Sequence, residues 1–329
     1  MSETAALLNL DDIRAAAARI EPHVLRTPTL TREVGDVELA FKPESLQRTG
    51  AFKLRGAFSL MTTLPDDCPG VVAHSSGNHA QAVACAAATL GLPAVIVMPS
   101  DAPTLKRERT AAWGAEIVTV GPDSDEREAR AEQLAQERGL VPVPPYDAPL
   151  IAAGQGTAAL ELLEDGLLDR FYAPVSGGGL MAGCATAVAA LCPQAEIIGV
   201  EPADGDDTRR SLAAGERVAV PPPATIADGL RVRRPGAVTF PIVQRHVARI
   251  ELVSDEELLD GMAWALDELR LVLEPSGAAS LAAALRDACA LAGVEGAPSA
   301  PGPRWGVLLS GGNVDPPMLA RALERLAAR

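Results

Sequence analysis

Short, β-rich apolar runs alternate with longer Ala- and Leu-rich stretches along most of this chain, the pattern of parallel strands joined by helical crossovers. After an opening helix at 11–24 we read strands at 37–41, 71–74, 94–98, 116–120, 171–175, 196–200, 249–252 and 305–309, with helices filling most of the gaps. The run Ala94-Val95-Ile96-Val97-Met98 and the run Gly306-Val307-Leu308-Leu309 hold no polar residue, as strands covered on both faces require. With 329 residues there is room for two domains of ~150 residues each. The proline-rich segment Val141-Pro142-Val143-Pro144-Pro145-Tyr146-Asp147 follows four strand–helix units and suits a crossing between two lobes. Pro221-Pro222-Pro223 and 297–303 read as loops.

Charge narrows the partners. The 29 Lys and Arg against 43 Asp and Glu leave a net charge of −14, which repels phosphate backbones and anionic lipid surfaces. Aromatic residues are only 3%, so platforms for stacking bases are scarce, and nucleic acid is not an expected partner. The five cysteines are scattered, with no Cys-x-x-Cys pair, which fits a reducing cytoplasm and no disulfide framework. Residues 1–12 carry acids where a secretory signal carries a basic region. The apolar stretches 80–98 and 172–192 are broken by Gly91-Leu92-Pro93 and by Ser176-Gly177-Gly178-Gly179, so each reads as strand and helix and no membrane span is expected.

In open parallel sheets ligands bind beyond the C-terminal strand ends, where glycine-rich turns lead into helix N-termini. Four turns fit: Ser75-Ser76-Gly77-Asn78-His79, Ser176-Gly177-Gly178-Gly179, Glu201-Pro202 and Ser310-Gly311-Gly312-Asn313. Three consecutive glycines after Ser176 clear the way for a phosphate to approach bare backbone, or let a helix pack closely on the sheet. Gly177, Gly179 and Ala182 also satisfy the dinucleotide pattern G-x-G-x-x-G/A, with Glu201 where a ribose-binding acid would lie. That loop by itself does not separate a dinucleotide from a smaller phosphate ester. Glu201, Asp204, Asp206 and Asp207 form an acidic cluster that is either a hard-cation site for Mg²⁺ or Ca²⁺ or a solvated turn. His74 and His79 lack zinc spacing, His23 and His246 stand alone, and Cys184 and Cys192 read as small core residues of one helix.

The stretch Thr49-Gly50-Ala51-Phe52-Lys53-Leu54-Arg55-Gly56 sets an aromatic ring beside a lysine in a glycine-bounded turn. With the turns above, Thr225-Ile226-Ala227-Asp228-Gly229-Leu230, Glu274-Pro275-Ser276-Gly277 and Asn313-Val314-Asp315, it resembles the threonine dehydratase and serine racemase family of pyridoxal-phosphate enzymes over nearly the whole chain. The resemblance implies an α/β, two-lobed fold of type II, with mostly parallel twisted sheets flanked by helices in each lobe. Residues 1–62 and 148–329 would form a large cofactor-binding domain and 63–147 a small mobile one. By the same resemblance Lys53 forms the Schiff base with pyridoxal 5′-phosphate, Phe52 flanks its ring, and Ser176, Gly177, Gly178 and Gly179 hold its phosphate, Ser176 standing where the family usually has a glycine. Asn78 would bond the ring oxygen, Ser310 face the pyridine nitrogen and Glu274 line the cofactor. A neutral hydroxyl at that nitrogen leaves the ring a restrained electron sink, which favours elimination. Backbone donors of Ser75, Ser76, Gly77 and His79 would take the substrate carboxylate, Tyr146 stand beside it, and Ser76 act as the proton carrier opposite Lys53. Arg127 matches a substrate-facing arginine of the racemases or is a solvated helix charge. Glu201, the carbonyl of Gly205 and Asp207 match the family's cation ligands.

The crossing at 143–147 with Ala153-Gly154-Gln155-Gly156-Thr157 is more similar to a threonine dehydratase than to a racemase. The chain ends soon after Asp315, which leaves no space for the regulatory domain of biosynthetic dehydratases. The expected activity is therefore conversion of L-threonine or L-serine to a 2-oxo acid and ammonia by a cytoplasmic homodimer. The alternatives are a serine racemase, or a dehydratase of 3-hydroxyaspartate, phenylserine or a hydroxyectoine-derived amino acid. From other classes stand an NAD(P)-dependent enzyme built on the Gly177 loop and a non-catalytic amino-acid sensor.

Overall fold

The structure is a computed structural model that describes residues 7–102, 104–122, 124–292 and 302–328. Its elements, in chain order, are α1 (Leu10–Ile20), β1 (Leu30–Val34), β2 (Val37–Pro43), α2 (Lys53–Met61), β3 (Val71–His74), α3 (Asn78–Leu90), β4 (Ala94–Pro99), α4 (Thr104–Ala111), β5 (Glu116–Val120), α5 (Ser124–Arg138) and β6 (Val141–Pro142). There follow α6 (Pro149–Glu164), β7 (Arg170–Pro174), α7 (Gly179–Leu191), β8 (Glu196–Pro202), α8 (Asp207–Ala214), α9 (Phe240–His246), β9 (Arg249–Val253), α10 (Asp255–Trp264), α11 (Pro275–Ala292), β10 (Arg304–Leu309) and α12 (Pro316–Ala327).

Two sheets form. One has the order β1-β2-β10-β7-β8-β9 and is parallel except for the β1–β2 hairpin. The other, β5-β4-β3-β6, is parallel throughout and lies within the segment 63–147. Strand β7 shows why the larger sheet needs helices on both sides: Phe171 and Ala173 join the core under α6 and α7, while Tyr172 between them joins the core under α10 and α11. A third core covers the smaller sheet, where Val71, Ala73, Ile96 and Met98 meet Ala80, Val83, Leu54 and Phe58.

Several expected boundaries change. The opening helix starts at Leu10 because the Asn9 side chain accepts from the Asp11 and Asp12 amides, and it stops at Ile20 because Pro22 has no N–H to extend it. Strand β1 escaped the sequence reading because it is a polar edge strand, with Thr31, Arg32 and Glu33 all exposed. Strand β6 is two residues long and sits in the proline-rich crossing, pairing Val141 with Val71. Cys192 lies just past the end of α7 and not on it; it and Cys184 are both buried. Pro223 of the Pro221-Pro222-Pro223 break is buried. Residues 297–301 of the third break, like residues 1–6, lie outside the described residues. The five cysteines are free, only Cys289 being exposed. Among the described residues no helix is long and apolar enough to cross a membrane.

Two features of the larger unit position the chemistry. Helices α6 and α7 cross at Gly156 and Gly183, where a Cβ on Gly183 would run into the Ala152 carbonyl oxygen. Only glycine permits so close an approach. Below α2 the Arg55 guanidinium is fully buried, donating to both Glu44 oxygens at 2.8 Å and to Glu161 at 2.6 and 2.9 Å. Lys42 joins Glu161 at 2.7 Å, so two positive and two negative groups balance. Burial alone would raise the Glu44 pKa, but the charge and hydrogen bonds of Arg55 hold it below the usual carboxylate range. Removing one partner of a buried pair strands the other, at a cost of about 3–5 kcal/mol. Arg55→Ala is therefore expected to lower the urea-unfolding free energy by about that amount, and a loss under about 1 kcal/mol would show that Glu44 finds water or another donor.

Candidate active site

Lys53 opens α2, and the turn before it is stapled to the segment that follows β10. Phe52 N–H donates to the Ser310 carbonyl at 3.1 Å, and Ala51 pairs with Gly311 in an isolated antiparallel bridge. The Lys53 amine donates to the Pro145 carbonyl at 2.7 Å and lies 5.0 Å from the Phe52 ring centre. Lys53 is half-buried in the cleft, and loss of water around its amine lowers the pKa to about 8. A modest fraction of the amine is thus already uncharged, and nucleophilic, near neutral pH.

The next residue after Pro145 brings the glycine loop to the same place. Gly178 takes a left-handed conformation, φ 90°, at the start of α7. Its neighbours Gly177 and Gly179 lie under the Tyr146 side chain, and a Cβ on Gly177 would collide with the Tyr146 ring. Tyr146, expected beside substrate, therefore stands over the loop. The Gly177 carbonyl accepts from the Thr239 hydroxyl at 2.6 Å and from Gly236 N–H at 3.2 Å. The Ser176 hydroxyl oxygen and both amide atoms of Gln155 are buried here without a hydrogen-bond partner. Buried polar groups are almost always satisfied in folded proteins. A loop of free backbone donors with orphaned side chains beside it fits the phosphate of a small ester, and Lys53 fits its aldehyde.

The helix α3 completes the cleft. Ser75 Oγ accepts from Gly77 N–H at 3.2 Å, and Gly77 faces open space. Asn78 Nδ2 donates to Glu274 at 2.6 Å, and Asn313 Nδ2 donates to Asn78 Oδ1 at 2.8 Å. Burial, with Asp228 adding to it, raises the Glu274 pKa to about 8, so this carboxyl carries a proton at neutral pH. The Ser310 hydroxyl has a long, 3.4 Å contact to the Ser276 carbonyl.

The chain matches the family model of pyridoxal-phosphate dependent enzymes over residues 20–297. It belongs to that family. It is 43% identical over 311 residues to the L-threo-3-hydroxyaspartate ammonia-lyase of Saccharomyces cerevisiae, covering 92% of this chain and 93% of that one. It is 40% identical to the serine racemase of Schizosaccharomyces pombe, over 96% and 97% of the two chains. Among solved structures the threonine deaminase of T.th. superposes with a TM-score of 0.86 at 43% identity, over 93% of this chain and 99% of that one. The expected type II architecture is thus observed, the cofactor is pyridoxal phosphate, and the protein is a pyridoxal-phosphate-dependent lyase of the ammonia-lyase and racemase group.

Other expected residues of this family lie around the cleft or apart from it. His79 is buried and its Nε2 donates to the Val143 carbonyl at 2.8 Å. Burial, then the nearby Lys53 charge, lowers its pKa to about 3, so the imidazole stays neutral and its one ring N–H is spent on Val143. Arg127 is half-buried near the C-terminal end of β3, where it adds to the depression of the His74 pKa that burial begins and Glu128 opposes. One Arg127 amine lies 3.4 Å from the Pro122 carbonyl, and its Nε has no partner. Glu201, the penultimate residue of β8, accepts from the amides of Thr208 and Arg209, both at 3.0 Å, so it caps α8. Burial and mutual repulsion push Glu201 and Asp207 upward in pKa. Asp206 is held by Arg209 and Arg210 at 2.6 and 2.7 Å. No three acidic, His or Cys side chains converge on a metal site among the described residues, so a cation at Glu201 and Asp207 would also need the Gly205 carbonyl. Sequence reasoning missed Thr239, which nothing local marks, and gave no role to Asn313, the Pro145 carbonyl or the Gln155 side chain, each of which stood in a quoted motif.

Two outcomes test the lysine. Rapid-mixing absorbance of cofactor-free protein with pyridoxal phosphate should show attachment accelerating as pH rises through about 8, where the amine loses its proton, well below the ~10.4 of an exposed lysine. Lys53→Ala should show no covalent attachment and no turnover.

Proposed function

We propose that this enzyme is an ammonia-lyase for β-hydroxy amino acids and that its preferred substrate carries a second carboxylate, as L-threo-3-hydroxyaspartate does. The observation that carries the substrate choice is the half-buried Arg127, whose Nε is unpartnered at the C-terminal rim of the smaller sheet. A guanidinium so placed suits a carboxylate and gains nothing from the methyl of threonine or the bare carbon of serine. The name of the yeast relative supports the same choice. Conversion of L-threonine or L-serine, and racemisation of serine with Ser76 as the second proton carrier, are the competing readings.

In this reading the 176–179 loop and Asn78, Glu274 and Ser310 seat the cofactor, with Phe52 against its ring. Bound there, pyridoxal phosphate supplies the carbonyl that takes the substrate amine and the electron sink for its α-carbon. Amides of the Ser75-Ser76-Gly77 turn and of His79 orient the α-carboxylate at the start of α3. The uncharged Lys53 amine removes the α-proton, which its lowered pKa allows near neutral pH. The β-hydroxyl leaves as water, its departure balanced by the proton that Lys53 has taken up, and hydrolysis of the released enamine through its imine tautomer gives a 2-oxo acid and ammonia. Tyr146 and the 63–147 lobe limit water in the cleft, and a cytoplasmic homodimer goes with this reading.

A 2-oxo acid release assay over L-threo-3-hydroxyaspartate, L-threonine and L-serine, with chiral analysis of recovered serine, tests it. Arg127→Ala should lower kcat/KM for hydroxyaspartate by ~10- to 100-fold, the worth of a hydrogen bond to a charged group, and leave threonine nearly unchanged. Equal losses on both would assign Arg127 to the fold. We further propose that Glu201, the Gly205 carbonyl and Asp207 hold Mg²⁺ or Ca²⁺, since two buried, mutually repelling carboxylates gain from a cation between them. Saturating Mg²⁺ at ~100 times its Kd should then stabilise the protein by about 2.7 kcal/mol and raise its Tm, and Asp207→Asn should remove the effect.

A further inference from the structure

Gln155 lies on the face of α6 that meets α7, one residue before the Gly156 crossing, and is 1% exposed. Its amide is wedged between two glycines: a Cβ on Gly56 of α2 would lie 3.0 Å from Nε2, and a Cβ on Gly179 would lie 2.7 Å from Oε1. Neither amide atom has a partner, and neither does the Ser176 hydroxyl at the other end of the loop. Packing does not explain this arrangement, because an unbranched apolar side chain such as Met would fill the same space without the cost of two dry polar atoms. Both side chains sit where the first N–H groups of α7, a 13-residue helix, carry the positive end of its dipole.

We propose that the Gln155 amide nitrogen and the Ser176 hydroxyl donate to the phosphate of pyridoxal phosphate, completing a seat that the glycine amides begin. This rests on the reading that the 176–179 loop holds that phosphate. A phosphate dianion only accepts, so the amide must turn its nitrogen to the loop. The exchange of O and N costs little space, because the two differ little in size. The Oε1 then faces α2, and one residue touches both the helix that carries Lys53 and the loop that takes the ester. Ser176, which replaces a family glycine, becomes a donor and not merely a tolerated change.

The test compares the cofactor with pyridoxal, which has the same aldehyde and no phosphate. Dissociation constants of both for cofactor-free protein are measured by fluorescence titration. The unaltered protein should prefer the phosphate form strongly. Gln155→Met should weaken pyridoxal phosphate by ~10- to 100-fold and pyridoxal less than about twofold, with Ser176→Ala showing a smaller loss of the same kind. Gln155→Glu keeps the shape and adds a repelling charge, so its loss should exceed that of Gln155→Met and ease as pH falls and the carboxyl takes up a proton. Equal weakening of both ligands in these variants would overturn the proposal and leave Gln155 a packing residue. Equal binding of both ligands by the unaltered protein would instead overturn the phosphate loop itself. Should Gln155→Met not fold, Gln155→Glu and Ser176→Ala carry the same comparison.

Discussion

A fully buried guanidinium holds the working parts of this enzyme together. Arg55 reaches from α2 to Glu44, just beyond β2, and to Glu161 on α6, so a helix, a strand end and a second helix meet on one planar, five-donor group. Lys53 is two residues before Arg55 and points elsewhere, to the Pro145 carbonyl. The charged side of α2 fixes the helix, and the amine is then presented to the cleft without freedom to wander. A lysine left on a flexible turn would be solvated, and its pKa would stay in the ordinary range.

The same logic of close approach recurs on α6. Its glycine crossing with α7 draws the N-terminus of α7 against α6, and Tyr146, three residues before α6 begins, closes over the glycines of the loop. Substitution at Gly177 or Gly179 would meet the tyrosine before it met any cofactor. These glycines therefore serve protein packing, which residue type alone left as one of two rival explanations. Across the cleft, Asn78 of α3 bonds Glu274 next to α11 and Asn313 beyond β10, tying the smaller sheet's helix to the larger sheet's rim. The raised pKa of Glu274 matters here, since burial and the Asp228 charge outweigh what the Asn78 hydrogen bond and the Lys106 charge do to hold the carboxyl ionised.

Much of this was legible from residues alone. Most strands announced themselves because covered parallel strands are apolar at every position or nearly so, as in 94–98. Strand β1 did not, since exposed Thr31, Arg32 and Glu33 leave no apolar pattern to read. Strand β6 did not, since two residues in a proline-rich stretch carry no periodicity at all. Lys53, the glycine loop and Asn78 were singled out through their motifs, and the structure places them around one cleft. His79 was found as a helix-opening residue, but its strap to Val143 depends on where β6 ends, a long-range fact. Gln155 had a motif and no role until α7 was seen to lie against it.

The sequence by itself gave a parallel α/β chain, a net charge of −14, and a lysine and glycine loop similar to those of pyridoxal-phosphate enzymes. The first two follow from local periodicity and composition, which need no knowledge of what lies far along the chain; the third came from a resemblance carried by motifs in order along the chain, since residue type alone left the lysine and the loop open. Tertiary structure alone decided that the Lys53 amine would be desolvated, that Glu44, Arg55 and Glu161 would share one buried cluster, and that Gln155 and Ser176 would be left without partners. Such properties belong to groups distant in sequence, and burial, charge pairing and unsatisfied donors come into being only when folding brings those groups within a few ångströms of one another.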